Sequence, residues 1–189
     1  MRYLKKYNES LELQSEWGLI LPEEEFNKYA DEFDSIVEPF LDTREFQVAV
    51  WGNDNPEALP PSEIVYSMFT EMRDRLHTQE WKIDRLSRGY KEIQMPCPAP
   101  LDRPDWRASL EAMAVKAYQV VGLRDYARFD MRMLGNEPQI LDVNANPELD
   151  PLSVVLAGAQ AKGMTYGQMT SRIIQFASVR MPGKTDPRM

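Results

Sequence analysis

The residues best suited to chemistry lie between positions 126 and 144. Polar and apolar side chains alternate in Tyr126-Ala-Arg-Phe-Asp-Met-Arg-Met133, and a second strand-like run, Gln139-Ile-Leu-Asp-Val-Asn144, follows a turn. Because successive side chains of a strand point to opposite faces, this pattern predicts a hairpin with one apolar and one polar face. The apolar face is predicted to contain Ala127, Phe129, Met131, Met133, Leu141 and Val143. Arg128, Asp130 and Arg132 are predicted to point to the polar face, where Arg128 and Asp130 gather with Asp142 and Asn144.

The chemistry that this polar face could perform is metal and phosphate binding. Two carboxylates and an amide oxygen suit Mg²⁺, which usually adds waters and substrate phosphates to a few protein ligands. A neighbouring arginine can neutralise charge that develops on a transferred phosphoryl group. The alternative is an ordinary solvated strand face, although aspartate and asparagine are poor strand formers. The residues alone leave both interpretations open.

The loop after the hairpin is a second candidate for ligand contact. It runs Asn144-Ala-Asn-Pro-Glu-Leu-Asp-Pro-Leu-Ser153 and leads into a predicted helix. Polar side chains and free backbone N–H groups at a strand-to-helix turn can bind an anion or a carboxylate. Ser153 is therefore a candidate substrate contact, and it is also a candidate helix N-cap.

Length and composition limit the class of protein. A chain of 189 residues can form one globular domain or a tight pair of subdomains. The net charge of −8, without a basic cluster, argues against nucleic acid as a partner. The single cysteine, Cys97, excludes an internal disulfide framework, so we expect a reducing cytoplasm and a packing role for this thiol. No apolar run approaches the roughly 20 residues of a membrane span, and no signal peptide is expected.

The remaining patterns predict helices and strands of an α+β domain. Pro22 and Asp105 are expected at the starts of two helices, and Gly122 at the end of the second. Two further helices are predicted over residues 153 to 162 and 166 to 180. Strands are predicted over residues 36 to 40 and 45 to 51 in addition to the hairpin, and residues 63 to 66 are candidates to continue the sheet. Antiparallel strands beside helices define the α+β class.

Three segments have weaker or different patterns. Residues 68 to 92 favour a helix only slightly over an irregular segment, and the single histidine, His77, is expected there on the surface. Residues 95 to 100 are proline-rich and are expected to be extended. We expect residues 1 to 180 to form the domain and residues 181 to 189 to form a flexible tail.

The hairpin and its loop resemble a known family in both residue type and spacing. Ala127-Arg-Phe-Asp130, the hairpin turn, Ile140-Leu-Asp-Val-Asn-Ala-Asn-Pro147 and then Ser153 are similar to the C-terminal signature of D-alanine–D-alanine ligases and related ATP-grasp proteins. The resemblance implies an α+β ATP-grasp C-terminal domain, in which helices flank an antiparallel sheet.

The resemblance also implies roles for individual residues. By this likeness Asp130, Asp142 and Asn144 bind Mg²⁺ or Mn²⁺. Arg128 contacts phosphate or the acyl intermediate, and Ser153 contacts substrate. Asp142 stands in place of the more common glutamate, which makes this ligand one methylene shorter.

A second match lies upstream and concerns the nucleoside part of ATP. The segment Val37-Glu-Pro-Phe-Leu-Asp-Thr-Arg-Glu-Phe-Gln-Val-Ala-Val50 resembles the hinge strand on which this family holds adenine and ribose. By this likeness Glu38 and the backbone of Leu41 face adenine, and Glu45 binds the ribose hydroxyls. The likeness extends over most of residues 36 to 180.

The sequence departs from the family pattern near its start and in the loop. It begins too late to hold the N-terminal substrate domain, and Lys5 or Lys6 is the candidate for the phosphate-binding lysine, although no glycines and serines follow. Glu148 stands where D-alanine ligases have glycine, which argues against D-alanine as the substrate.

The implied function is an ATP-dependent carboxylate–amine ligase that forms an amide or peptide bond through an acyl phosphate, present here as a partial chain. Its partners would be small-molecule carboxylate and amine substrates, with a second copy of the chain or a separate N-terminal domain completing the enzyme. Two alternatives stay open: a truncated or degenerate ATP-grasp module that binds nucleotide without ligase activity, and an acidic interaction domain without a ligand.

Overall fold

The computed structural model describes residues 2–6, 18–21, 35–71, 75 and 86–179. The chain divides into two compact units, and each unit is built from two separate segments. Met1–Asp42 and Val65–Gln94 form the first unit, and Thr43–Ile64 and Met95–Met189 form the second. The predicted helix after Pro22, His77 and the predicted tail lie outside the described residues.

The first unit contains an antiparallel sheet of three strands in the order β2-β1-β3. The strands are β1 (Arg2–Lys6), β2 (Gly18–Leu21) and β3 (Ser35–Pro39). β3 confirms the strand predicted over residues 36 to 40. In the segment from 68 to 92, the described residues contain one short helix, α1 (Arg88–Glu92).

The second unit contains an antiparallel sheet of five strands. They are β4 (Glu45–Trp51), β5 (Glu57–Ala58), β6 (Ser62–Ile64), β7 (Tyr126–Leu134) and β8 (Glu137–Asn144). β4 pairs with β7 on one side and with both β5 and β6 on the other, and β7 pairs with β8. The strand over residues 45 to 51 and the hairpin are confirmed.

Three helices flank this sheet: α2 (Pro104–Val121), α3 (Val154–Ala161) and α4 (Tyr166–Ser178). Gly122 ends α2 with a positive φ of 74°, as predicted. The prediction that Asp105 caps α2 is wrong, because the helix begins at Pro104 and Arg103 takes the capping position. Proline's fixed φ suits the first helical position, so the helix starts earlier and Asp105 falls in its first turn.

One face of the sheet packs against α2 and forms the main core. From β7, Ala127, Phe129, Met131 and Met133 are buried there, as the alternation predicts. From β4 and α2, the same cluster contains Phe46, Val48, Val50, Leu110, Ala114 and Tyr118. Because successive side chains of a strand point to opposite faces, the polar side chains that alternate with these residues in β4 and β7 lie on the other face.

The opposite face of the sheet is divided into an apolar and a polar part. At the end of β4, Ala49 and Trp51 pack with the helices α3 and α4, chiefly through Leu156, Ala159, Met169 and Ile173. At the start of β4, the same face carries Glu45 and Gln47, both buried. The two helices therefore cover one end of this face, and polar side chains occupy the other.

A register shift in the hairpin corrects one expectation about β8. Asp130 pairs with Asp142, but the next residue, Met131, pairs with Ile140, so Leu141 is an extra residue in β8. Ile140 therefore packs against the α2 core, and the prediction that Leu141 does so is wrong. Ile140 and Leu141 are both apolar, so the hydrophobic pattern could not show which of them faces inward.

The proline-rich segment after residue 94 lies extended along β6, as predicted. Glu63 N donates to the Pro96 carbonyl at 3.2 Å, and Ala99 N donates to the Pro61 carbonyl at 2.7 Å. Burial raises the pKa of the Cys97 thiol, which fits a packing role. None of the helices in the described part of the chain is long and apolar enough to cross a membrane.

Candidate functional site

The pairing of β7 with β8 brings the four predicted polar residues together. Arg128 is directly opposite Asn144, and Asp130 is directly opposite Asp142. Side chains that are directly opposite on antiparallel strands lie on the same face of the sheet. The predicted grouping of these positions is therefore confirmed, while their roles stay predictions. We call these four residues the hairpin cluster.

Asp130 of the hairpin cluster accepts hydrogen bonds from two neighbouring side chains. Arg128 donates to both of its carboxylate oxygens, from Nε to Oδ1 at 2.7 Å and from Nη2 to Oδ2 at 3.0 Å. Gln47 of β4 donates from Nε2 to Oδ1 at 3.1 Å. The side chains of Arg128 and Asp130 are only 15% and 13% exposed. Charge-assisted, two-point contacts of this kind fix the orientation of a carboxylate.

Arg128 is a firmly charged group within an acidic environment. Burial tends to lower the pKa of its guanidinium, but the carboxylates of Asp130, Asp142 and Glu148 outweigh burial and raise that pKa. The arginine therefore supplies a permanent positive charge beside oxygen ligands. Such a charge can attract the phosphate groups of a nucleotide.

The loop after β8 is held by its own side chains. Asn144 Oδ1 accepts from Asn146 N at 3.0 Å, which is a local turn of the type that asparagine favours. Tyr126 donates from its hydroxyl to Asn146 Oδ1 at 2.9 Å. The hydrogen bond of Asn144 therefore links a predicted metal ligand to the path of the loop.

Ser153 is the N-cap of α3. Its Oγ accepts from Leu156 N at 3.2 Å, and the residue is only 7% exposed. Asp150 supports the approach to the helix, because its carbonyl accepts from Ser153 N at 3.1 Å. The capping interpretation is confirmed, and a contact with substrate stays a prediction.

The oxygen donors of the hairpin cluster fit a hard divalent cation. In the described parts of the chain, no group of three or more His, Cys, Asp or Glu side chains is arranged to hold a metal ion. A metal here would instead take the two carboxylates of Asp130 and Asp142 and the amide oxygen of Asn144. Mg²⁺ commonly binds proteins through one or two carboxylates and completes its shell with waters and phosphates, so the donor set fits Mg²⁺, or Mn²⁺ in its place.

The residues predicted to bind the nucleoside lie at the ends of two strands in different units. Glu38 is in β3, and Leu41 follows that strand, in the first unit. Glu45 begins β4 in the second unit and is 7% exposed. Its carboxylate oxygen Oε2 accepts from Arg132 Nε at 2.9 Å and from Nη2 at 2.7 Å. Glu45 thus lies on the same sheet face as the hairpin cluster, next to Gln47.

Two further buried polar residues lie on this face: Gln47, which did not emerge from the sequence, and Arg132, which the alternation placed on the polar face without assigning it a role. Each is 2% exposed, and each bonds a predicted site residue on the neighbouring strand. The sequence did carry a signal for polar side chains on this face, because Glu45 and Gln47 alternate with the apolar Phe46 and Val48. The structure leaves no position of this strand exposed. Polar side chains at alternate positions of a fully buried strand need partners on the same face.

Solved structures of D-alanine–D-alanine ligases share this fold. The D-alanine–D-alanine ligase of Coxiella burnetii aligns with a TM-score of 0.69 at 21% identity, over 95% of this chain and 45% of that one. The Bacillus anthracis ligase complexed with ATP aligns with a TM-score of 0.65 at 15% identity, over 94% of this chain and 53% of that one. An α+β fold with helices on an antiparallel sheet, as in the C-terminal part of such a ligase, is therefore established.

The sequence comparisons identify the family. Residues 23–175 match the family model described as "D-ala D-ala ligase C-terminus", and the chain belongs to this family. It is 33% identical to D-alanine–D-alanine ligase A of Escherichia coli (strain K12) over 80% of its own length and 39% of that protein. It is 32% identical to the D-alanine–D-alanine ligase of Bordetella avium over 80% of its own length and 45% of that protein. The chain thus spans less than half the length of the curated relatives it matches.

Proposed function

We propose that this chain is the ATP- and metal-binding part of an ATP-dependent carboxylate–amine ligase. The observation that carries the proposal is the register of β7 and β8, which sets Asp130 opposite Asp142 and Arg128 opposite Asn144 in a chain of this family. Two carboxylates, an amide oxygen and an arginine on one face match the needs of a metal–nucleotide complex.

Each member of the hairpin cluster has a distinct role in this proposal. Asp130, Asp142 and Asn144 hold Mg²⁺ or Mn²⁺, which when bound neutralises the negative charge of the ATP phosphates. Arg128 contacts the transferred phosphoryl group, and the neighbouring carboxylates, which raise the pKa of its guanidinium, favour its charged form. Ser153 contacts substrate at the start of α3 while it continues to cap that helix.

The reaction joins an acid to an amine in two transfers. A carboxylate oxygen of the first substrate attacks the γ-phosphorus of ATP, and the bond from that phosphorus to ADP breaks, which gives an acyl phosphate. The amine nitrogen of the second substrate then attacks the acyl carbon. Inorganic phosphate leaves, and the nitrogen loses a proton to give the amide. The hairpin cluster contributes charge stabilisation and positioning to the first transfer.

Nucleoside recognition is proposed for residues 37 to 50, which resemble the hinge strand of the family. Glu38 and the backbone of Leu41 face adenine, and Glu45 binds the ribose hydroxyls with a carboxylate that Arg132 holds in place. ATP is the nucleotide, as in the ligase of Bacillus anthracis that was solved with ATP. We place the protein in the cytoplasm, with small-molecule carboxylate and amine substrates.

A second candidate is a nucleotide-binding module without ligase activity. It is favoured by two departures from the family pattern: Asp142 stands in place of the more common glutamate, and Glu148 stands where D-alanine ligases have glycine. Under the first proposal, a second copy or a separate N-terminal domain completes the active site. Release of ADP from ATP, measured with a panel of amino acids that each supply a carboxylate and an amine, distinguishes catalysis from binding alone.

Thermal unfolding with and without MgATP tests the binding site. A ligand present at about 100 times its Kd stabilises the folded state by about 2.7 kcal/mol, so the wild type should unfold at a higher temperature. Asp142→Ala should abolish this rise, and EDTA should abolish it in the wild type. The matched control is Asp105→Ala in α2, which packs on the opposite face of the sheet and should leave the rise intact. A wild type that shows no MgATP-dependent rise would contradict nucleotide binding by this chain.

A further inference from the structure

We infer that Gln47 is a positioning residue that holds the Asp130 carboxylate for metal binding, an inference that rests on the proposed function. Gln47 is directly opposite Asp130 across the β4–β7 pairing. Its Nε2 donates to Asp130 Oδ1 at 3.1 Å, and the residue is 2% exposed. A buried amide on the strand next to a predicted metal ligand therefore contacts that ligand directly.

The chemistry of the two groups fixes the direction of this hydrogen bond. An ionised carboxylate can only accept, so the NH₂ end of the Gln47 amide must face Asp130. A buried side-chain amide is costly without a partner. Ser62, opposite Gln47 on the β6 side, makes no hydrogen bond to this amide. The burial of Gln47 is therefore compensated by its contact with Asp130.

Gln47 differs from Arg128, the other donor to Asp130, in charge and in its proposed task. Arg128 holds both carboxylate oxygens and carries a positive charge, which opposes a cation at the same carboxylate. In the proposed function, Arg128 also contacts phosphate, and this contact draws donors away from Asp130. Gln47 is neutral, so it can orient Asp130 without repelling the metal, and it keeps one donor on Oδ1 when Arg128 binds phosphate.

Substitution of a residue that orients a metal ligand changes the affinity for the metal more than it changes the stability of the fold. Loss of such a partner typically weakens metal binding by about 10- to 100-fold. The variant Gln47→Met removes the amide and keeps an unbranched side chain of similar size. Gln47→Leu is a second variant with the same loss of donors, in case the first one does not fold. The control is Ser62→Ala, which removes a buried oxygen from the residue paired with Gln47 and leaves the contact between Gln47 and Asp130 intact.

The test measures Mn²⁺ binding to the whole chain by electron paramagnetic resonance, without nucleotide. We expect the Mn²⁺ Kd of Gln47→Met to rise at least about tenfold, with an altered spectrum of the bound ion and an unchanged metal-free melting temperature. Ser62→Ala should bind Mn²⁺ like the wild type. An unchanged Kd in a folded Gln47→Met or Gln47→Leu protein, alongside a loss of binding in Asp142→Ala, would overturn the role of Gln47 and leave the metal site standing. If the wild type binds no more Mn²⁺ than Asp142→Ala, the proposed metal site fails, and the role of Gln47 fails with it.

Discussion

Arg132 and Glu45 show how strongly individual side chains of the polar sheet face depend on one another. Their side chains are 2% and 9% exposed, and the guanidinium donates twice to one carboxylate oxygen. Removal of one partner of a buried ion pair leaves an uncompensated charge, which typically costs about 3 to 5 kcal/mol. We therefore expect Arg132→Met to lower the free energy of unfolding by about that amount, measured by urea denaturation.

The matched control is an arginine whose ion pair is exposed. Arg103 Nη2 lies 3.6 Å from Asp105 Oδ2, and the two side chains are 48% and 54% exposed. Exposed pairs contribute about 0 to 1 kcal/mol, so Arg103→Met should change stability little. The double variant Glu45→Gln with Arg132→Met should recover part of the loss, because no buried charge is left unpaired. Equal costs for Arg132→Met and Arg103→Met would contradict a strong dependence of Glu45 on Arg132.

Residue types and local spacing were sufficient to group the hairpin cluster, because its members lie on two strands joined by a short turn. The contacts made across β4 could not be predicted in the same way. Gln47 and Asp130 are 83 residues apart in sequence, and Glu45 and Arg132 are 87 apart. Which strand lies beside β7 depends on the packing of the whole sheet, and alternation within one strand carries no information about its neighbour.

At the scale of elements, Gly158 permits α3 to approach the loop before β6. A Cβ at this position would lie 2.7 Å from Leu59 Cβ and 3.3 Å from its Cδ1. Leu59 is fully buried, and Cβ cannot move away without the backbone. Gly158→Ala should therefore destabilise the fold by about 1 to 3 kcal/mol through overpacking, despite the better helix propensity of alanine. Thermal or urea unfolding measures the change.

Gly167 in α4 provides the control for this prediction. A Cβ at Gly167 would meet no atom within 4 Å. Gly167→Ala should therefore gain the helix propensity of alanine, up to about 1 kcal/mol. If Gly158→Ala is as stabilising as Gly167→Ala, close packing of α3 on Leu59 does not limit this position.

Ser153 is predicted to combine capping with substrate contact, and these roles respond differently to substitution. Ser153→Ala removes the acceptor for Leu156 N and should cost about 0.5 to 2 kcal/mol of stability. Ser153→Asp keeps a capping oxygen, so it should retain most of that stability, but its added charge and size should still disturb a substrate contact. Unfolding measurements, together with ADP release, separate the two roles. An Ser153→Asp protein with full activity would contradict the substrate contact.

The limits of prediction for elements follow from local ambiguity. Gly122 was predicted correctly as the end of α2 because a left-handed residue there favours glycine. The start of α2 was misplaced by the strong capping tendency of Asp105, whereas Pro104 determines the first helical position. The extra residue in β8 could not be predicted, since two adjacent apolar residues satisfy the pattern equally well.

At the scale of the whole molecule, acid should weaken the fold partly through Glu57. Burial tends to raise the pKa of this carboxyl, but hydrogen bonds from Lys162 and Trp51 outweigh it, and the pKa lies below its ordinary value. A lowered pKa in the folded state means that Glu57 stabilises the protein above the ordinary glutamate pKa of about 4.3. This contribution is lost as the pH falls through the lower pKa of the folded state.

The variant Glu57→Gln should therefore be less stable than the wild type at about pH 6, and the two should converge as the pH falls through the lowered pKa of Glu57. The Glu57 side chain is 54% exposed, so the difference at the higher pH should be below about 1 kcal/mol. Melting temperatures across this range give the comparison, with Glu137→Gln in the exposed turn end of β8 as the control. A stability difference that does not shrink on acidification would argue against this role of Glu57.

The family and the class of fold followed from the sequence because the diagnostic motifs are local and closely spaced. The division into units did not follow, since each unit combines two segments that are distant along the chain. Local patterns describe which elements exist, whereas the grouping of elements depends on contacts between distant segments.

The two faces of β4 also affect how this protein can evolve. Phe46, Val48 and Val50 build the core beneath α2, while Glu45 and Gln47 serve the opposite face of the same strand. Because alternate side chains of a strand do not share neighbours, substitutions at the polar positions of β4 can accumulate without disturbing the packing of the core. The apolar and the polar positions of β4 would therefore be expected to vary independently of each other.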